Sequence, residues 1–202
     1  MPLWGTTHDA VTNKPKFLPT DENSKYTRAD CYATQSGWVM QAGHVSSGNG
    51  NTSADPEVLV AIGGLAGTSS TTGLKAPTVT NMRFVIGTAA TTDFTAGSSA
   101  QTLTCEITWD EGITVAGSPR VVVVNDSRSN HTLTYTATGS TANRKRFTVA
   151  SQTIVADDIL TLGGNDITLN SGTISDTVVG GTTLAASLGL SGLTAVTHTV
   201  LA

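Results

Sequence analysis

Three features of the sequence predict an all-β fold: a β-sandwich over residues 76–202, behind an extended, irregular N-terminal arm or small subdomain over residues 1–75. Short runs alternate apolar and polar side chains with a period of two, the signature of half-buried strands. Clusters of Gly, Asn, Asp and Ser separate these runs at the spacing of about 8 to 12 residues found in sandwiches. Threonine and valine dominate the runs, and their β-branched side chains suit a pleated surface while costing helix stability.

In chain order, Met82, Phe84 and Ile86 form the first alternating set. The clearest follows at Leu103, Cys105, Ile107 and Trp109, with Thr102, Thr104, Glu106 and Thr108 between them. One apolar face and one solvated face are expected of that strand. The run Val121 to Val124 is apolar on both faces, which suits a central strand or one covered by a partner. Leu133 with Tyr135, and Phe147 with Val149, continue the pattern, and Ile167 to Asp176 closes it. Turns fall at Ala116-Gly117-Ser118-Pro119, Asn125-Asp126-Ser127, Gly139-Ser140, Gly163-Gly164-Asn165-Asp166 and Asn170-Ser171-Gly172. About seven strands result, the number an immunoglobulin-like sandwich needs.

The texture changes before residue 76. Residues 1–51 carry three prolines, scattered charge and the aromatics Trp4, Phe17, Tyr26, Tyr32 and Trp38 without a sustained period. Isolated aromatics on a chain with no core of its own need pockets supplied by a partner. Glu57 to Ile62 is a short apolar strand or helix, punctuated by Gly63-Gly64, and Thr68 to Gly73 reads as a linker of small polar residues. The expected partner contacts are Trp4, Phe17, Trp38, Val58 and Val60.

Composition narrows the function. The 202 residues are 38% hydrophobic and 13% charged, enough for a buried core and too little charge for a disordered polyelectrolyte. A net charge of -4 argues against nucleic acid, whose phosphates require clustered Lys and Arg. The one basic cluster, Arg144-Lys145-Arg146, reads as a solvated strand edge. No apolar run reaches the roughly 18 residues of a membrane span, and Met1 to Gly5 lacks the basic and apolar regions of a signal peptide, so synthesis in the cytosol without secretion by the general route is expected. In that compartment Cys31 and Cys105 are read as buried free thiols.

Chemistry-bearing candidates are few. His8, His44, His131 and His198 lack metal-ligand spacing, and no nucleophile elbow or phosphate loop is complete. Asp110-Glu111 and Asp157-Asp158 are paired carboxylates in expected turns, where turn and cap roles are preferred to a calcium site. No enzyme activity and no cofactor are expected.

Two resemblances bear on function. From Ala76-Pro77-Thr78-Val79-Thr80 through Trp109-Asp110-Glu111-Gly112-Ile113-Thr114-Val115-Ala116-Gly117-Ser118-Pro119, Leu133-Thr134-Tyr135 and Phe147-Thr148-Val149 to Ile167 through Asp176, the chain resembles bacterial immunoglobulin-like repeats of surface adhesins. That resemblance implies a sandwich displayed at a surface. Leu3-Trp4-Gly5, Lys14 to Leu18, Gly37-Trp38-Val39 and Pro56 to Gly63 are similar to the opening of virion structural proteins from tailed phages of marine cyanobacteria. Together they imply a capsid decoration or cement protein. Its partner would be the phage major capsid protein or another virion protein, in a homo-oligomer or many-copy assembly on the virion surface. A neck, tail or fibre protein is the nearest alternative, and a carbohydrate-binding adhesion module a further one.

Overall fold

The computed structural model describes residues 14–15, 30–43, 49–66, 74, 76–86, 89–90, 94–95, 97–176 and 184–202. The described chain is all-β, with no α-helix among the described residues. A first antiparallel sheet has the order β1-β2-β3, from β1 (Cys31–Thr34), β2 (Gly37–Met40) and β3 (Glu57–Ala61). The turn from β1 into β2 closes on Gly37, whose φ of 129° lies where glycine alone is at ease. A Cβ there would also run into the Val60 carbonyl of β3, so Gly37 is what lets β2 lie flat against its neighbour.

The second sheet contains nine strands: β4 (Val79–Ile86), β5 (Ala89–Ala90), β6 (Phe94–Thr95), β7 (Gly97–Trp109), β9 (Arg120–Asn125), β10 (His131–Thr136), β11 (Arg144–Ile154), β12 (Ile159–Leu162) and β14 (Val196–Leu201). Their spatial order is β5-β4-β7-β11-β10-β9-β12-β14-β6, antiparallel except for the parallel β14–β6 pair. β8 (Ile113–Ala116) and β13 (Thr173–Asp176) form a separate antiparallel ribbon. The nine-stranded sheet curls until it is almost a barrel, bringing β4 against β12 and β14 from the far side of the order. Phe84 of β4 therefore meets His198 of β14, their rings 5.3 Å apart. At the end of β12, a Cβ on Gly163 would strike the Met82 side chain of β4, so the small residue allows that approach.

The curled sheet encloses the main core. Leu103, Cys105, Ile107 and Trp109 of β7 are all fully buried in it, as alternation predicts. At about 1.5–3 kcal/mol per fully buried large apolar side chain, this single strand face is a major source of stability. Trp109 also donates its indole N–H to the Ser187 carbonyl at 3.0 Å, which ties the C-terminal segment to the core. Val121 and Val123 point inward from β9, and Val122 and Val124 are half-buried on its other face. β9 lies between β10 and β12, the central position its doubly apolar run suggests. From residue 76 onward there are eleven described strands rather than about seven, because two-residue β5 and β6 and the β8–β13 ribbon carry too little pattern to be read in sequence.

Two expectations about polar residues are corrected. The outer face of β7 is not simply solvated: Glu106 and Thr108 are 2% and 1% exposed. Arg144-Lys145-Arg146 is not at an edge either, since β11 runs between β7 and β10. Glu106 stands directly opposite Arg83 on β4 and Arg146 on β11. Arg83 donates from Nε at 3.0 Å to Oε2, and Arg146 donates from its terminal nitrogen at 2.6 Å to Oε1. Arg144 approaches Oε2 at 3.6 Å and also pairs with Asp30. Lys145 alternates to the opposite face, is buried, and donates to the Thr141 carbonyl at 2.7 Å.

A second, smaller core lies in the first sheet. It gathers Cys31, Ala33, Trp38, Met40, Leu65, Ala66 and Leu74, with Leu59, Val60 and Ile62 partly buried against it. Trp38, expected to seek a pocket on another protein, is fully buried here among its own chain's side chains. Cys31 lies in this core and Cys105 in the main one, both as free thiols.

Candidate functional site at the junction of the two sheets

The two sheets meet where β7 ends. Beyond Trp109 the chain turns through Asp110, Glu111 and Gly112 into β8, and β1 runs alongside that corner. Ala33 donates its backbone N–H to the Asp110 carbonyl at 2.7 Å and forms a parallel bridge with Glu111. Gln41 accepts from the backbone of Ala142 at 3.1 Å, and Asp30 pairs with Arg144, so a side chain from each end of the small sheet's first hairpin reaches the larger body. Asp110 is clamped from the other side, accepting the Thr78 backbone N–H at 2.6 Å on Oδ1.

This corner concentrates buried ionisable groups. Burial lowers Lys14 from 10.5 to about 8, against the pull of Cys31, Asp110 and Asp30. Burial raises Asp110 from 3.8 to about 6, although the Thr78 N–H opposes the shift. Burial also raises Glu111 from 4.5 to about 8, and the charges of Asp110 and Asp176 push the same way. The Cys31 thiol is raised to about 12 by its apolar surroundings, which makes it a poor nucleophile.

These shifts have a sign that can be checked. Asp110 and Glu111 hold protons in the folded chain that the unfolded chain has already released, so their contribution to stability falls as pH rises between the two sets of values. Lys14 and Lys145, both lowered to about 8, keep their charge in both states below that pH. The melting temperature is therefore expected to decline from pH 5 to pH 8, in the window set by Asp110 and Glu111. Thermal melts across that interval test this, and Glu111→Gln should flatten the slope; a melting temperature that climbs with pH would contradict it.

Between the small sheet and the corner lies a cavity of about 580 Å³. Tyr32, Ala33, Pro56, Ala66 and Ile113 supply most of its apolar wall, with Gln35 and Ser36 at its exposed side. Glu111 belongs to the same wall, is 3% exposed, and keeps Oε1 buried with no hydrogen-bond partner.

Of the residues expected to touch a partner, Trp4 and Phe17 lie outside the described residues. As placed here Trp38 offers no surface, Val60 is half-buried against the second core, and Val58 is 46% exposed on β3. The structure does not bring these three together with the cavity. The paired carboxylates part company too. Asp110 and Glu111 are buried in the corner rather than set in an open turn. Asp158 accepts from Asn125 at 3.1 Å and from Arg128 at 3.3 Å, while Asp157 is exposed with a φ of 69°. Among the described residues no group of three or more His, Cys, Asp or Glu is placed to hold a metal ion.

His131 is a structural group: it is 5% exposed, with Nδ1 2.8 Å from Gln152 Oε1 and Nε2 3.4 Å from Asn125 Nδ2. Sequence reasoning missed Glu111 as a cavity residue and Glu106 as an ion-pair hub. The available signal for Glu106 was a lone carboxylate within β7 and two arginines spaced to share one face of β11.

In comparison with known proteins, no family model, no curated protein and no solved structure matches this chain.

Proposed function

We propose that the chain is a non-enzymatic structural protein of a tailed-phage virion, a decoration or cement protein attached to the head through its N-terminal region. The reading starts from the resemblance of Leu3-Trp4-Gly5, Gly37-Trp38-Val39 and Pro56 to Gly63 to such proteins. The observation that carries it is the exposed edge of the small sheet. β3 ends the order β1-β2-β3, and among the described residues no strand pairs with its outer side. Glu57, Val58 and Ala61 are exposed there, on a sheet stiffened by its own core and tied to the larger body. A neighbouring coat protein can extend that edge by strand addition, in which main-chain hydrogen bonds give affinity and pockets for alternate side chains give specificity. Many weak contacts of this kind add up over a lattice.

The larger body is the displayed part, and its finer architecture is read as an immunoglobulin-like sandwich. Its supports are the two halves of the curled sheet, which face each other across one core as sandwich layers do, and the tryptophan buried on β7. Trp109 and Tyr135, the aromatics a carbohydrate platform would want, both pack into that core, Tyr135 with its ring 6.1 Å from Phe147.

Quantitative peptide mass spectrometry of gradient-purified particles tests the assignment. A copy number approaching that of the coat protein is expected. A few copies per particle would move the chain to the neck, tail or fibres, and its absence from particles would overturn the virion reading.

A further inference from the structure

We propose that Asn49 is a site of spontaneous covalent modification, at which the Gly50 backbone nitrogen closes on the Asn49 side chain, expels ammonia and leaves an aspartyl or isoaspartyl residue between β2 and β3. The inference stands on this loop and does not depend on the virion assignment. Asn49-Gly50 is the chain's single Asn-Gly pair, and asparagine is among the thermolabile residues. Both residues are exposed. A Cβ on Gly50 would meet nothing within 4 Å, so the peptide that must turn toward the side chain is unobstructed. Glycine also spares that turn the steric cost a side chain would impose.

The local hydrogen bonding meets a second requirement. The backbone N–H of Asn51 donates to Asn49 Oδ1 at 3.0 Å, which folds the side chain back along the Gly50 peptide and polarises its carbonyl. That N–H stands where negative charge develops on Oδ1 as the ring closes. The chemistry balances with water as the only co-reactant. The Gly50 nitrogen gives its proton to hydroxide and bonds to Asn49 Cγ. The Cγ–Nδ2 bond then breaks, and the departing nitrogen takes a proton from water and leaves as ammonia. Water opens the resulting five-membered imide. Cleavage at Cγ gives aspartate, and cleavage at the backbone carbonyl gives isoaspartate, whose main chain runs through the former side chain. Asn125 and Asn143, by contrast, are buried, with their amide nitrogens donating to Asp158 and to the Trp109 carbonyl. Asn51 makes the same kind of turn, with Oδ1 accepting from Ser53, but the β-branched Thr52 follows it. Either product at position 49 adds a carboxylate to a connection that already carries the exposed Asp55. Isoaspartate also lengthens a loop that Gly43 closes by donating its N–H to the Asn49 carbonyl at 3.0 Å.

Incubation of the full chain beside the free peptide Gly-Asn-Gly-Asn-Thr in mildly alkaline buffer, followed by peptide mass mapping, tests the proposal. A gain of about 1 Da in the fragment that contains Asn49 is expected, resolved by chromatography into aspartyl and isoaspartyl forms. Its rate should equal or exceed that of the free peptide and rise with hydroxide concentration. Asn49→Gln should abolish the gain, and Gly50→Ala should slow it by about tenfold or more, because the added Cβ hinders ring closure. The comparison of the unmodified chain with the peptide needs no variant, so the test stands even if a substitution disturbs the loop. An unchanged mass at Asn49, conversion slower than in the peptide, or undiminished conversion in Gly50→Ala would each overturn the proposal.

Discussion

Replacing Glu106 with alanine is expected to cost the folded chain about 3–5 kcal/mol, the penalty for leaving buried charges without their partner. The geometry explains the size. Glu106 sits between Arg83 and Arg146 on three neighbouring strands, β4, β7 and β11, so one carboxylate holds the middle of the sheet's outer face. The side chains of Arg83, Arg144 and Arg146 are only 12%, 12% and 15% exposed, which leaves them little water to fall back on. Without Glu106, three guanidiniums would crowd one face, and among the described residues Asp30 alone would pair with one of them, Arg144. Glu106→Gln preserves the shape and some hydrogen bonding, so it should lose less. Urea denaturation measures both. A loss below about 1 kcal/mol for Glu106→Ala, the level of an exposed pair, would show that the cluster is effectively solvated.

Trp38→Ala is expected to cost a comparable amount, about 3–5 kcal/mol, and to act on the first sheet. Trp38 is the largest side chain in the second core and is wholly enclosed by it. Backbone amides of β1, β2 and β3 should then exchange with solvent faster, while those beside Leu103, Ile107 and Phe147 remain protected. Trp38→Phe should be milder by a clear margin. The indole Nε1 is buried with no acceptor, so the phenyl ring removes an unpaired donor while keeping most of the apolar contact. If Trp38→Ala leaves exchange in β1 to β3 unchanged, the second core does not depend on this residue. If it loosens both sheets equally, the junction couples them into one cooperative unit.

These two residues also show where sequence is informative. Period two named the inward face of β7 correctly, because burial on that side is imposed by the strand's own pleat. The same pattern cannot say what covers the opposite face. Glu106 is buried by arginines on two other strands, and only the registers of β4 and β11 against β7 bring them together. The doubly apolar Val121 to Val124 run read as a central strand or one covered by a partner; β9 lies between β10 and β12, with Val121 and Val123 buried and Val122 and Val124 half-buried.

Trp38 illustrates the opposite case. Strands of four or five residues are too short to display a period, so its region looked coreless. Its core is built instead by pairing three such strands and adding Leu65, Ala66 and Leu74. The cavity was beyond sequence reasoning for a related reason. Tyr32, Pro56 and Glu111 are far apart along the chain, and only the docking of β1 against the β7–β8 corner makes them share a wall. Asp110-Glu111 was visible as a carboxylate pair, but its burial was not, since both residues stand where a turn is expected.

Cryo-electron microscopy of purified phage particles tests the proposed virion role most directly. Density for the curled nine-stranded body repeating over the head lattice, with β3 lying against a strand of the coat protein, is the predicted result. Complete particles that carry no density for this chain would contradict it.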